Sequence, residues 1–344
     1  MNNVFRIMTM GVLLSAAAAC GDRGVSRASI ASISAKFAQF AAAVSGQDAQ
    51  LASVVLASEH SPTGHPGFDT GTYPGDVAMR AWRMSDAPYE WAGFYLQSPC
   101  HQDPGWSGKR ETLTSMGYGL AVIYVGQQTW GRKPGSPQMI SVPVTVNVKS
   151  RVGFGRRRHT VTRTVTRLVK RRAAGPPPGA TCNADYVSAE RGIAEGRDAV
   201  ERTALQGFPP GTTVFLDLEQ MDVLPQAMRD YYSAWARTVL ADGRYRPGIY
   251  THTMNANTVY TDVKAVYTAA GVTSEPPFWI AKSRGFDLRK LPSEMGHAFA
   301  AVWQGVLDVE QTWNGHKFPI DVNVSSSPSP STPRLPVISG TAAN

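Results

Sequence analysis

Short apolar runs alternate with longer amphipathic stretches through the middle of this chain. Eight of these runs have the β-branched and aromatic content of strands: GFD (67–69), WAGFYL (91–96), LAVIYV (120–125), TVFLDL (213–218), PGIYT (247–251), FWIA (278–281), FAAVWQ (299–304) and PIDVNV (319–324). Helix-like segments at 77–84, 109–116, 189–206, 226–240 and 257–270 follow the first five runs. In the fourth of these, Met228, Tyr231, Tyr232, Trp235 and Val239 recur at helical spacing, the stripe of a core-facing helix. After the sixth run the connectors are short, and a hairpin-like 308–317 separates the last two. Strand–helix alternation predicts a mostly parallel sheet. Eight strands with helices behind the first five predict an α/β fold, a TIM-like (β/α) barrel whose last three strands lack full helices.

One insertion, 131–179, breaks the alternation. Residues 140–148 (ISVPVTVNV) and 157–169 (RRHTVTRTVTRLV) both alternate with period two around Gly153-Phe154-Gly155, which predicts a long β-hairpin closed by Gly175-Pro176-Pro177-Pro178-Gly179. The hairpin also accounts for the net charge of +8. Ten Lys/Arg and no Asp or Glu lie between 149 and 172, and the remainder carries 24 basic against 26 acidic residues. The body is therefore mildly acidic, with one basic appendage. That appendage is either a solvated hairpin or a contact for anionic envelope polymer or lipid head groups. Nucleic acid is not an expected partner, because Phe154 is the only aromatic ring among the arginines and the chain reads as exported.

Export follows from residues 1–19: a single cation (Arg6), an apolar run at 7–14 and small residues at 16–19, the layout of a signal peptide. Cys20 directly follows Ala17-Ala18-Ala19. This resembles the lipobox of bacterial lipoproteins, with Ala17 where Leu is usual; cleavage at an Ala-x-Ala site is the alternative. Lipid on Cys20 would make the membrane a partner and the cell envelope the location; otherwise the protein is secreted or periplasmic. Residues 20–60 are Ala/Ser-rich and read as a tether or a packed helix, 61–325 as the barrel, and 326–344 as a Ser/Pro-rich unpacked tail. In an oxidising compartment Cys100 and Cys182 are expected to form a disulfide. His101 beside Cys100 makes no ligand set, so neither a metal nor another cofactor is called for.

Acidic residues mark the downstream ends of predicted strands one, four and eight: Asp69, Asp217 with Glu219, and Asp321. In a parallel barrel such ends converge on one mouth. Two carboxylates two residues apart point to the same side of a strand, and crowding raises the pKa of at least one of them. That combination serves glycosidic cleavage, which needs a proton donor and an opposing anion. Tyr95, Tyr124, Gln127, Gln128, Tyr250, Trp279, Trp303, Gln304 and Asn323 sit at the same ends, offering flat faces beside hydrogen-bonding groups suited to sugar rings.

Together GFDTG (67–71), LDLE (216–219), GIYTH (248–252), FWIAK (278–282), AVWQ (301–304) and IDVN (320–323) resemble the signature segments of family 25 glycoside hydrolases, lysozyme-type muramidases. The chain is more similar still to the glycoside-hydrolase-like domain of exported mycobacterial and actinobacterial proteins, including its GFYL-x-SPC (93–100) and IYVGQQ (123–128) stretches. The resemblance spans about residues 64–325 without the hairpin. It implies Glu219 as general acid, Asp217 tuning it, and Asp69 and Asp321 flanking the sugar to position water or stabilise positive charge. The acetamido oxygen of an N-acetylated sugar would act as internal nucleophile, with cell-wall glycan as the partner. The alternative function is a non-catalytic wall-binding module that uses the cleft and the basic hairpin. A metal-dependent deacetylase or phosphodiesterase would have to rest on the carboxylates and His252, without a second well-placed histidine.

Overall fold

A computed structural model of the chain describes residues 64–332, except 154, 156, 157 and 174. The expected signal peptide, Cys20 and the 20–60 segment lie outside the described residues. Eight strands close a barrel: β1 (His65–Asp69), β2 (Trp91–Tyr95), β3 (Gly119–Val125), β6 (Thr213–Leu218), β7 (Arg246–His252), β8 (Phe278–Ala281), β9 (Ala300–Trp313) and β10 (His316–Ser325). Neighbours run parallel from β1 through β2, β3, β6, β7 and β8 to β9, while β10 is antiparallel to both β9 and β1. The remaining strands, β4 (Gln138–Val152) and β5 (His159–Ala173), form a separate two-stranded sheet, the predicted hairpin.

Helices α1 (Asp76–Arg83), α2 (Arg110–Ser115), α3 (Ala189–Leu205), α4 (Gln226–Asp242) and α5 (Ala256–Ala269) follow β1, β2, the insertion, β6 and β7. After β8 only a single 3-10 turn (Pro292–Met295) intervenes, so the helix-poor end of the barrel is as the pattern predicts. The β9–β10 link is tighter than the expected 308–317 connector. Both strands extend through it to a two-residue turn at Asn314-Gly315, whose φ angles of 45° and 78° suit the twist of a hairpin.

Inside the barrel, alternate residues fill two levels. Trp91, Phe215 and Trp279 meet edge to face at 5.6 and 5.7 Å and form the lower plug with Ala121, Ile123 and Val302. Tyr95, Val125 and Tyr250 pack on top of them, toward the ends where β1, β2 and β6 stop. The opposite end is closed by residues 326–332, which composition assigned to an unpacked tail. Ser329 and Ser331 hydroxyls accept from the Leu120 and Val122 N–H groups (3.1 and 2.8 Å), and Ser331 carbonyl accepts from Thr213 N–H. Unsatisfied backbone donors at the barrel floor explain why a Ser/Pro segment docks there. Residues beyond 332 lie outside the described ones.

Cys100 and Cys182 are bonded, as expected. The bridge ties the loop after β2 to the chain leaving the hairpin, assisted by Thr181 hydroxyl donating to Pro99 carbonyl at 2.8 Å. Among the described residues no helix is long and apolar enough to cross a membrane.

Candidate active site

Strand phase decides what faces the mouth. Asp69, Tyr95, Asp217, Tyr250, Gln304, Asp321 and Asn323 share the inward phase above the Trp91–Trp279 plug, and all but Asp217 are linked by one side-chain hydrogen-bond network. Asp69 is its centre and almost fully buried. Its Oδ1 accepts from Tyr95 hydroxyl at 2.7 Å, and its Oδ2 accepts from Asn323 and Gln304 amides at 2.8 and 3.1 Å. The Gln304 Nε2 also donates to Asp321 Oδ2 at 2.9 Å, so one amide nitrogen spans two carboxylates. Gln304 Oε1 accepts from Tyr250 hydroxyl at 2.7 Å, and Asn323 Oδ1 from the Trp279 indole at 3.0 Å. Both amides are thereby oriented with their NH2 groups toward the acids. Trp279 is thus the floor beneath the carboxylates, buried in the plug.

Asp321 reaches this mouth by a route the sequence reading had wrong. It is not at the downstream end of a parallel strand: β10 runs the opposite way, entering from the mouth, and Asp321 pairs in register with Asp69. Two bulges in β9 accommodate it, one between the partners of Ile320 and Val322 and one between those of Val322 and Asn323. At the first, Asp308 takes a left-handed φ of 50° and its N–H donates to Asp321 Oδ1 at 2.6 Å. Asp308 was missed, because no sequence pattern announces a bulge; Asp tolerates the left-handed region better than most residues.

Glu219 lies just past the end of β6 and is exposed, while Asp217 one pitch below is half-buried, with Oδ1 unpartnered. Gln128 fixes this strand end: its Nε2 donates to Asp217 carbonyl at 2.8 Å and its Oε1 accepts from Glu219 N–H at 3.1 Å. It acts on backbone from behind instead of facing a ligand. Desolvation raises all four acids above their ordinary range. For Asp217 the neighbouring charges of Glu219, Asp69 and Asp321 add to it, for Glu219 that of Asp69, and for Asp321 chiefly that of Asp69. In Asp69 the Tyr95, Asn323 and Gln304 donors oppose the rise. The mouth therefore gathers carboxyl groups of raised proton affinity, with the most fully hydrogen-bonded one at Asp69 and an exposed one at Glu219.

Three expected mouth residues are elsewhere. Tyr124 points outward to the helical layer, where its hydroxyl donates to Asp198 of α3 at 2.8 Å and its ring packs on Trp235. Trp303 is also outward, donating to Lys282 carbonyl and packing on Phe286. Gln127 is buried among Glu195, Thr181 and Asn183, stapling β3 to α3 and to the exit of the hairpin. An aromatic that was passed over is more accessible: Trp130, two residues beyond Gln128, is half exposed on a left-handed backbone of φ 44°. Among the described residues no group of three or more His, Cys, Asp or Glu is arranged to hold a metal ion.

A closed barrel of seven parallel strands and one antiparallel strand, with carboxylates crowded at one mouth, defines a glycoside-hydrolase-like protein. The family model described as "Rv2525c-like, glycoside hydrolase-like domain" matches residues 80–325, and the chain belongs to that family. No curated protein sequence matches it. Similar solved structures include an uncharacterized Bacillus stearothermophilus protein (16% identity, 76% of this chain and 96% of that chain, TM-score 0.46). The Tat-secreted protein Rv2525c of Mycobacterium tuberculosis is another (14%, 75% and 94%, 0.40). A third is GHIP, a glycosyl hydrolase 25 of Streptococcus pneumoniae (12%, 80% and 92%, 0.40).

Proposed function

We propose that the protein is an exported, envelope-located glycoside hydrolase that cleaves peptidoglycan or a related N-acetylated amino-sugar polymer. The observation that carries this reading is the division of labour in the carboxylate cluster. An exposed acid of raised proton affinity, Glu219, stands above a buried carboxylate, Asp69, that three donors hold in place and favour as the anion. Glu219 gives its proton to the glycosidic oxygen as the bond to the anomeric carbon breaks. Asp69 and Asp321 face the positive charge that develops on the ring, and the sugar's acetamido oxygen closes on the anomeric carbon. Water then opens that intermediate and returns a proton to Glu219. The charge of Asp69 helps Glu219 keep its proton, and Asp217 on the same strand tunes it from one pitch below.

Purified protein and its Glu219→Gln variant, incubated with peptidoglycan, test this by mass spectrometry of new reducing-end muropeptides. The wild type is expected to release them, and the variant to be slower by about 10²-fold or more while still binding. Activity is expected to be highest under mildly acidic conditions. It should fall as the pH rises through the elevated pKa of Glu219, since the acid must carry its proton. Equal activity of the two proteins would remove Glu219 from its role. Binding without products from either would point to a wall-binding module.

A further inference from the structure

The β4–β5 hairpin is a ribbon with two unlike faces. Its register pairs Val142 with Val169, Val144 with Arg167, Val146 with Val165 and Val148 with Arg163. One face therefore carries Ile140 and the alternate valines to Val148 on β4, and valines alternating with Arg163, Arg167 and Arg171 on β5. The reverse face is polar at its middle, with Thr145, Asn147, Thr164 and Thr166, and carries Pro143 and the exposed Leu168 and Met139 toward the base. Fifteen residues per strand make the ribbon about 50 Å long. It packs extensively on no barrel element. Its base is held firmly by Gly135 N–H donating to Asp185 at 2.8 Å, Arg132 bonded to Ser136 and Asn183, and the nearby Cys100–Cys182 bridge.

We propose that the valine–arginine face of this ribbon lies flat on an anionic lipid bilayer. Two-stranded ribbons are marginal in water, and an apolar row this long that is only half-buried, with Val152 and Val169 exposed, is a cost that an occupant must offset. The occupant is anionic, because no acidic residue occurs between Glu111 and Asp185 while twelve cations do. That charge also opposes a second copy of the ribbon, which would bring like charges together. A soluble anionic polymer would engage the arginines and leave the valines in water. A bilayer interface takes both: valines among the upper acyl carbons, and arginine stems along the apolar surface with guanidinium groups on lipid phosphates. This surface is independent of the carboxylate mouth and of its chemistry.

The test uses the full chain with Cys20→Ser, so that no lipid is attached, floated with phosphatidylglycerol-containing or pure phosphatidylcholine vesicles. Binding is expected to be at least about tenfold tighter to the anionic vesicles, and Arg163→Gln/Arg167→Gln/Arg171→Gln to lower it roughly a hundredfold. Val144→Asn/Val146→Asn should lose vesicle binding yet keep its affinity for soluble polyphosphate, while Val144→Ile/Val146→Ile keeps both. An environment-sensitive dye on Val146→Cys should brighten on anionic vesicles and the same dye on Asn147→Cys should not, a readout independent of any destabilised variant. Vesicle binding unchanged by the asparagine pair would overturn the proposal. So would equal responses at positions 146 and 147, tighter binding to polyphosphate with a silent dye, or ribbon-dependent dimers without lipid.

Discussion

Asp217 Oδ1 has no hydrogen-bond partner, and three further carboxylates face the same side chain. Its pKa in the folded protein lies well above the unfolded value, so between the two the native state binds the extra proton. Stability from this group is therefore complete below the ordinary carboxylate range and is lost as pH rises through the elevated pKa. Asp217→Asn keeps the shape and removes the penalty. It is expected to raise Tm at pH 8, by roughly 3 °C for each kcal/mol recovered, with the gain shrinking toward pH 4 and activity reduced. Melting curves at the two pH values check this; a variant that melts below wild type at pH 8 contradicts it. The same crowding that makes the cluster useful for proton transfer makes it a weak point of the fold.

Two short segments outside the barrel wall hold it together. The Cys100–Cys182 bridge closes a loop with a sequence separation of 82, and opening it frees the hairpin exit from the rim. Chain entropy alone puts that loss at about 4.5 kcal/mol, so Cys100→Ser/Cys182→Ser should show a clearly lower Tm than wild type, insensitive to reductant. Below the barrel, Ser329 and Ser331 satisfy two strand N–H groups, and Gly119 leaves no room for a Cβ, which would stand 1.9 Å from Pro328 carbonyl oxygen. Ending the chain at Ser325 would orphan those donors at about 1–3 kcal/mol each. The truncated protein should unfold at markedly lower denaturant than one ending at 332, which keeps both serines.

Among the described residues a closed barrel is joined to a ribbon that is held at its base and packs extensively on no barrel element. Replacing 138–173 by a short Gly/Ser link is therefore expected to leave the barrel's Tm within a few degrees of wild type and its glycan cleavage intact. Only vesicle binding should disappear. Calorimetry and the muropeptide assay on one preparation separate these outcomes: a deletion that melts early would mean the ribbon supports the barrel after all. Export and a lipid on Cys20 would add a second attachment, and one chain plus a polybasic surface is what stable anchoring requires.

Much of this architecture was legible in the residues alone. Eight apolar runs, five helices of the right length, the hairpin's period and Asp69, Asp217, Glu219 and Asp321 could all be read from periodicity and residue type, because these depend on local geometry. Strand phase could not. LAVIYV is apolar throughout because β3 is covered on both faces, so nothing in it says that Ile123 faces inward and Tyr124 outward. The same blindness misassigned Trp303. The reversed course of β10, the bulge that turns Asp308 onto Asp321, and the serines that plug the barrel floor arise from long-range pairing, where a backbone group takes whichever distant partner satisfies it. Composition marks a segment as polar; which unsatisfied group it finds is settled by the closed barrel around it.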